Sequence, residues 1–462
     1  MTATPDAEPA PAPPAAGRHP PTAAPAPSTP YRAPLVAFLV ANVVSLCGTR
    51  VSAIAIPWFV LVTTGSPVKM GLAAAAETLP LVVSKAFGGP LIDRLGGRLV
   101  SVSADIGSTV VVGLIPLLHL LGMLHFTTLL ALVAVAGALR GPGDAAKGTL
   151  IPDIADAAKV PLERVTGLES TTERFAGFVA FLIAGGLISL VGAANALWID
   201  AASFAICAAL IRVWVPRRSA AAAAAQAAEA DQENYLQQLR TGWRFLSRDR
   251  LIRPLVLMIS VTNLLDAASF AVLLPVWVHD HGHGPAQTTL ILTVFSITAT
   301  VFALLAASIG ERIPRRLAFT LSFLVCGAPR FIALAFDLPL WVILLAFAAS
   351  GVGAGFINPI LGALFIERIP RHMLGRVDSL AGALGWAGIP LGGVLAGAAI
   401  AGIGLAPALL VAGGLYLLAT LSPLVMGGSE NWGGRRAKQD PPDPEETAEH
   451  PDLAAVPTAA AS

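Results

Sequence analysis

Charge is what this sequence has least of. Only 13% of its 462 residues are Asp, Glu, Lys or Arg, 55% are hydrophobic, and the mean hydropathy is +0.72. Soluble globular chains carry about a quarter charged residues. A chain of this length with so few cannot cover a water-facing surface, which argues against a large soluble helical protein. Cysteine is scarce as well. Cys47, Cys207 and Cys326 each lie inside an apolar run, which reads as packed thiols rather than a disulfide framework or a metal site. The first 32 residues lack the basic-then-apolar order of a signal peptide. They are Pro/Ala-rich and aperiodic and read as a disordered tail, as does the polar, acidic stretch 427–462. No Walker motif occurs, so direct ATP drive is not expected, and no H-E-x-x-H helix occurs to hold a catalytic zinc.

Long apolar runs are what the sequence has instead. About 20 residues cross a bilayer core, and stretches of that length recur at 34–62, 68–92, 98–121, 126–150, 165–191 and 195–215, then at 254–279, 286–309, 316–336, 339–362, 375–402 and 405–426. The predicted fold is an all-α integral membrane protein of twelve transmembrane helices. They form two pseudo-symmetric six-helix bundles, 33–215 and 253–426, joined by a polar segment, 216–252. Within that segment Tyr235, Leu236, Leu239, Trp243 and Leu246 recur at helical spacing, which predicts an amphipathic helix on the membrane surface.

The few charges are unevenly placed. Even-numbered connections hold Arg94 and Arg98, Lys159 and Arg164, Arg312 and Arg315, Arg368 and Arg371, and the central segment holds seven arginines counted through Arg253, whereas the odd-numbered connections hold Lys69 and little else. The positive-inside rule puts both termini and the even connections in the cytoplasm. One even connection, "GGPLIDRLGGRLV" (Gly88–Val100), interrupts two apolar runs with an acid, bases and glycines. It is echoed between spans 8 and 9 by "SIGERIPRRLAF", with Glu311 and Arg312. Repeated elements at corresponding places in two halves are how many secondary transporters are built. The pattern reads as a conformational latch. Asp93 can face a helix N-terminus of the other half, whose dipole favours a carboxylate. Arg94 and Arg98 can pair with carboxylates of neighbouring spans, and Gly89 and Gly96 allow close approach and a tight turn.

Gly89, Asp93, Arg94, Gly96 and Arg98 together resemble the G-x-x-x-D-R-x-G-[GR]-R signature of the major facilitator superfamily. Further stretches are similar to its drug- and siderophore-exporting branch, the macrolide- and enterobactin-exporter-like proteins. They are "AIPWFVLVTTGSP", "RGPGDAAKGTLIPDI", "ALWIDAASFAICAALI" and "LGRVDSLAGALGWAGIPLGGVLAG". The resemblance covers residues 33–426. It implies two bundles working by alternating access, with proton-coupled efflux of amphipathic compounds as the usual activity. Its partners are then the bilayer, an amphipathic small molecule and protons, with no cofactor, no nucleic acid and a monomeric state expected. One departure is that span 5, "FAGFVAFLIAGGLISL", has Gly185 and Gly186 but no proline where antiporters carry a Gly-Pro-x-x-Gly-Gly element.

Ionisable groups inside a membrane are costly, and each calls for a partner or a role. Glu77 and Asp266 fall near mid-membrane, and Glu173 lies somewhat toward the terminal face. All three are candidate proton-coupling carboxylates, with Asp266 first because no base lies near it in sequence. Arg50 is placed within reach of Glu77, and Lys85 is placed level with Asp105. Both read as ion pairs. Arg140, Asp144 and Lys147 share a face of span 4 close to the latch. Asp200 reads as structural, and so does Arg330, with a carbonyl or Asp337 as its partner. Trp58, Phe59, Arg50, Phe270, Trp277, Phe356 and Trp386 are candidate cavity residues. The loop "VWVHDHGHGP" offers His279, His281 and His283, but alternating positions in a Gly-rich loop do not preorganise tetrahedral zinc ligands. A siderophore or metabolite exporter and a lipid flippase on the same fold stay as alternatives, ahead of a membrane-embedded metallo-hydrolase.

Overall fold

The computed structural model describes residues 32–216, 243–249, 251–309, 315–369 and 374–425. Among these, no strand occurs and the helices follow the apolar runs closely. Eleven helices are long and apolar enough to cross a membrane. The twelfth, span 2 (Pro67–Phe87), has spanning length but carries Lys69, Glu77 and Lys85. In the first half, span 1 is Ala33–Thr64, span 3 Gly97–Leu120, span 4 Phe126–Thr149, span 5 Leu162–Val191 and span 6 Ala193–Trp214. In the second half, span 7 runs over Ile252–Asp280, span 8 is Pro285–Ile309, span 9 Arg315–Ala335, span 10 Leu340–Arg368 and span 12 Leu405–Val425. Span 11 is two helices, Leu374–Trp386 and Ile389–Ile403.

Local chemistry explains the element ends. Span 1 ends at Gly65, whose φ of +61° suits a residue without Cβ, and its N–H bonds the Leu61 carbonyl at 2.8 Å. Ser66 then caps span 2 and Pro67 starts it, so a two-residue turn suffices. Pro390 cannot continue the hydrogen-bond ladder of span 11, and the helix breaks ahead of it. Asn263 of span 7 donates to the Gly385 carbonyl at the end of the first segment, at 2.9 Å. Hydrocarbon offers no water to do so. Span 7 carries a π-helical turn, Ser269–Leu273. Large apolar side chains such as Leu190, Leu304, Trp341 and Leu418 are exposed. A water-facing surface would not tolerate so many, but a lipid-facing one requires them.

Spans 1–6 pack on one another, and so do spans 7–12. The halves meet mainly along span 2 against span 11 and span 5 against span 8. Glycine makes this seam close. A Cβ on Gly71 would strike the backbone of Gly393, one on Gly397 would lie 2.9 Å from the Val68 Cα, and one on Gly185 would lie 2.8 Å from the Ala286 Cα. These contacts lie toward the membrane face opposite the termini. The predicted amphipathic helix and both tails lie almost wholly outside the described residues. The end of that helix, 243–248, is helical, with Trp243 exposed and Leu246 buried against Ile252, Phe365 and Val377. Asp249 then bonds the N–H groups of Leu251 and Ile252 at 2.8 and 2.9 Å and pairs with Arg368 at 3.0 Å, tying the segment to spans 7 and 10.

Candidate functional site

A cavity of about 590 Å³ lies between the halves, walled by spans 1, 5, 7 and 8. Span 5 contributes one stripe, Ser170, Glu173, Gly177 and Phe181. Span 8 contributes another, Leu292, Phe295, Ser296, Ala299 and Thr300. Both follow helical spacing. Arg50, Ala53 and Ile54 come from span 1, and Ala267, Phe270 and Ala271 from span 7. The close contact of Gly185 with Ala286 and Thr289 lies one turn beyond Phe181 and Leu292 and closes that end. Arg50 sits over the Phe181 ring, 5.6 Å from its centroid, and Phe270 and Phe295 pack at 5.3 Å. Among the described residues neither Arg50 nor Glu173 makes a contact ion pair, so the cavity offers one charge of each sign on an aromatic wall.

Three other membrane carboxylates, Glu77, Asp105 and Asp266, are paired among the described residues, and not as the sequence predicts. Glu77 pairs with Arg140 of span 4 at 2.8 Å, not with Arg50. Gly137 and Gly141 are the reason: a Cβ at either would strike span 2, so the two helices approach closely and bring Arg140 to Glu77. Asp105 pairs with Lys147 at 3.1 Å, not with Lys85. Ser45 lies 3.4 Å and Asp144 3.8 Å from the same ammonium. Lys85 instead turns toward the other half, over the Trp386 ring at 5.0 Å. Asp266 has a partner after all. Arg330, fully buried on span 9, donates to it and stacks over Phe270 and Phe331, both at 4.9 Å, and over Tyr416 at 5.5 Å. Asp337 is therefore not Arg330's partner. It accepts from Trp277 Nε1 at 2.8 Å and lies 3.2 Å from His281 Nε2.

Of the seven cavity candidates, Arg50 and Phe270 line this cavity, and Glu173 joins them. Trp277 is buried and tied to Asp337, Trp58 packs edge-on to His279, Phe59 edge-on to His119, and Phe356 against Phe302. Trp386 is exposed beneath Lys85. The cavity residues not anticipated from sequence are those with no charge or large ring to mark them, together with Phe181 and Phe295. Extending Glu173's helical stripe by i+4 and i+8 reaches Gly177 and Phe181.

The latch stretch folds as a short helix, Gly89–Leu95, followed by Gly96 at φ +83°, the left-handed region that only glycine adopts freely. Arg94 is exposed. Arg98 donates to the main-chain carbonyl of Arg212 at the end of span 6. The side chain of Asp93, and Glu311 and Arg312 entirely, lie outside what is described. Among the described residues no group of three His, Cys, Asp or Glu side chains is placed to hold a metal ion. His281 uses Nδ1 on the Trp277 carbonyl at 2.7 Å, and its ring stacks on Trp277.

The family model described as "Major Facilitator Superfamily" matches residues 38–265 and 256–456. The multidrug efflux pump Tap of Mycolicibacterium fortuitum is 30% identical over 369 residues, covering 79% of this chain and 89% of that protein. The Tap pump of Mycobacterium tuberculosis is 29% identical over 376 residues, covering 79% and 87%. Among solved structures, the nucleoside transporter NupG superposes with a TM-score of 0.71 at 13% identity, covering 85% of this chain and 98% of its own. A D-xylose-proton symporter superposes with a TM-score of 0.63 at 13% identity, covering 86% and 99%. At such identities the structural likeness carries the fold alone. With the family match running through both six-span halves, the chain belongs to the Major Facilitator Superfamily, a multi-pass membrane transporter rather than an enzyme.

Proposed function

We propose that this protein is a secondary transporter exporting amphipathic small molecules, drugs and natural products among them, across the plasma membrane by alternating access, driven by protons. The observation that carries the reading is the cavity between the halves. It is mostly apolar and aromatic, holds Arg50 and Glu173 as charges of opposite sign that make no contact ion pair among the described residues, and is closed at one end by glycine contacts between the halves. An apolar lining with a few polar groups suits amphipaths of varied shape. Relatives named as multidrug efflux pumps point the same way. Of the three coupling candidates, Glu173 is the one a substrate meets. Asp266 and Glu77 are held by arginines and act on the mechanism through the helices they join. The termini are cytoplasmic, and Asp93 with its neighbours forms the latch of one end state. The transporter works as a monomer.

A susceptibility panel tests this. Cells with and without the protein are exposed to chemically diverse amphipaths, and accumulation of the responding compounds is followed with and without an uncoupler. Higher tolerance to several unrelated compounds, lost with the uncoupler, is expected. Identical tolerance across the panel would sink the reading.

A further inference from the structure

The first half contains a carboxyl that the cavity does not use. Asp200 of span 6 is 2% exposed. Its carboxyl accepts from Ser52 of span 1 and from Ser203, and Gly48 makes room for it: a Cβ there would lie 2.6 Å from Asp200 Oδ1. Among the described residues no base lies within ion-pair distance of it. The charged groups whose fields reach it, Arg140 and Glu77, are already bonded to each other. The other buried carboxylate described in this half, Asp105, has Lys147 against it. A carboxylate buried without a counter-ion is costly, so the site calls for a proton as a means of neutralisation. Its partners suit either state, because a hydroxyl can donate or accept.

The same bundle holds a file of unpaired oxygens between Asp200 and the terminal face. Ser108, Asp105 and Ser101 lie on one stripe of span 3 and are 1%, 3% and 0% exposed. The two hydroxyls and Asp105 Oδ2 have no protein hydrogen-bond partner. Gly113, packed against Trp198 and Ala201, sets the register and puts Asp200 about one helical turn above Ser108. Ser101 lies about one turn from the start of span 3 at the terminal face. Internal water is the usual partner of buried oxygens in this condition.

We infer that Asp200 is a proton-carrying carboxyl, and that the Ser108–Asp105–Ser101 file is its hydrated route to the terminal face, separate from the substrate cavity. The inference deepens the proton-driven reading above and rests on it. The proton leaves an Asp200 oxygen for a neighbouring water and passes along the file by exchange of O–H bonds, and one proton reaches the solvent. The carboxylate left behind keeps Ser52 as a donor, while Ser203 shares its single hydrogen between the Asp200 main-chain carbonyl at 2.7 Å and the carboxylate at 3.3 Å. The charged groups facing this route are Asp105 on span 3, Lys147, Asp144 and Arg140 on span 4, and Glu77 on span 2 behind Arg140, while Arg50 of span 1 lines the cavity instead. Cys207 on span 6 is the remaining titratable neighbour. Lys147 lies 3.1 Å from Asp105, so the file has an ion pair at its lower end and, among the described residues, a carboxyl without a counter-ion at its upper end. Ser52 links the route to the cavity, because its neighbours Arg50, Ala53 and Ile54 line it. A substrate that shifts span 1 alters Asp200's hydrogen bonds.

Infrared spectroscopy of the purified protein in lipid nanodiscs, recorded over a pH series from acid to neutral, tests the protonation directly. A protonated-carboxyl stretch is expected that disappears in Asp200→Asn and shifts in Ser52→Ala, the second variant serving if the first does not fold. In proteoliposomes carrying a pH-sensitive dye, ethidium addition should release protons through the wild type. Release should fall about tenfold or more in Asp200→Asn and severalfold in Ser108→Ala, a change of barrier that loss of one relay group can produce. Ethidium binding should be unchanged in both. A spectrum with no band assigned to Asp200 overturns the inference, and so does wild-type proton release by Asp200→Asn. A wild type that neither binds nor moves ethidium or any panel compound fails the transporter reading instead, and the infrared result still decides the state of Asp200.

Discussion

Arg330 of span 9 donates to Asp266 of span 7 and at the same time lies over the ring of Phe270, which lines the cavity. One buried cation thus joins two helices of the second half and supports the cavity wall from behind. Removing it leaves Asp266 without a counter-ion. Arg330→Met should destabilise the fold by about 3–5 kcal/mol, the usual cost of breaking a buried pair from one side. Asp266→Asn combined with Arg330→Met should recover most of that. Thermal unfolding of the four proteins in detergent measures the cycle. A single variant as stable as wild type would mean the pair is idle.

Charge in the cavity should select cargo. Glu173→Gln should lower export of cationic amphipaths about tenfold and spare anionic ones, and Arg50→Gln should do the reverse, since each removes one unpaired charge. Dose–response curves for matched cationic and anionic compounds read the effect. Equal losses for both classes would assign the two residues to folding instead.

The seam should be sensitive to a single methyl. A Cβ on Gly71 strikes the Gly393 backbone, whereas one on Gly393 meets Ala74 at 3.2 Å and the Gly71 carbonyl at 3.1 Å, where small shifts suffice. Gly71→Val should hold the halves apart at the face opposite the termini and stop transport, while Gly393→Ala should slow it. Distances between spin labels on spans 2 and 11 report the separation. An unchanged distance in Gly71→Val would refute the idea that this contact closes the face.

Asp93→Asn keeps shape and removes charge. Normal insertion with transport reduced tenfold or more is expected if the latch biases one end state by the roughly 1–3 kcal/mol of a charged contact. Wild-type export by this variant would reduce the motif to a connecting turn.

Topology has a simple check. In a cysteine-free background, His283→Cys should react with an impermeant maleimide in intact cells and Ala225→Cys should not. The opposite labelling would invert the orientation and move the latch to the other face.

The spans were legible because hydrophobic length is a local property. All twelve helices fall within a few residues of the apolar runs, apart from an extension of span 10 to Arg368 and the break in span 11. The pairings were not legible from local order, because they depend on which helices approach most closely. Gly137 and Gly141 decide that Arg140 reaches Glu77, and nothing in the vicinity of either charge shows it. Depth would have served better than sequence proximity for Asp266. It lies about as far from the terminal-face end of span 7 as Arg330 does from that of span 9, some fifteen residues at ~1.5 Å each. Asp200 read as structural because its hydroxyl partners come from spans 1 and 6 and only folding shows that no cation joins them.

Where span 2 meets span 11 the closing seam is made of main chain and glycine, whereas the cavity is lined mostly by side chains. Heritable change can therefore act on one without disturbing the other. Replacing Phe181, Phe295 or Ser296 alters the shape and polarity offered to a guest but leaves untouched the surfaces of Gly71, Gly393 and Gly397 that meet when the face shuts. A lineage can thus acquire new chemical tolerances by ordinary point substitutions in the chamber while the mechanical cycle is conserved. The reverse does not hold, because almost any substitution in the seam affects every guest at once.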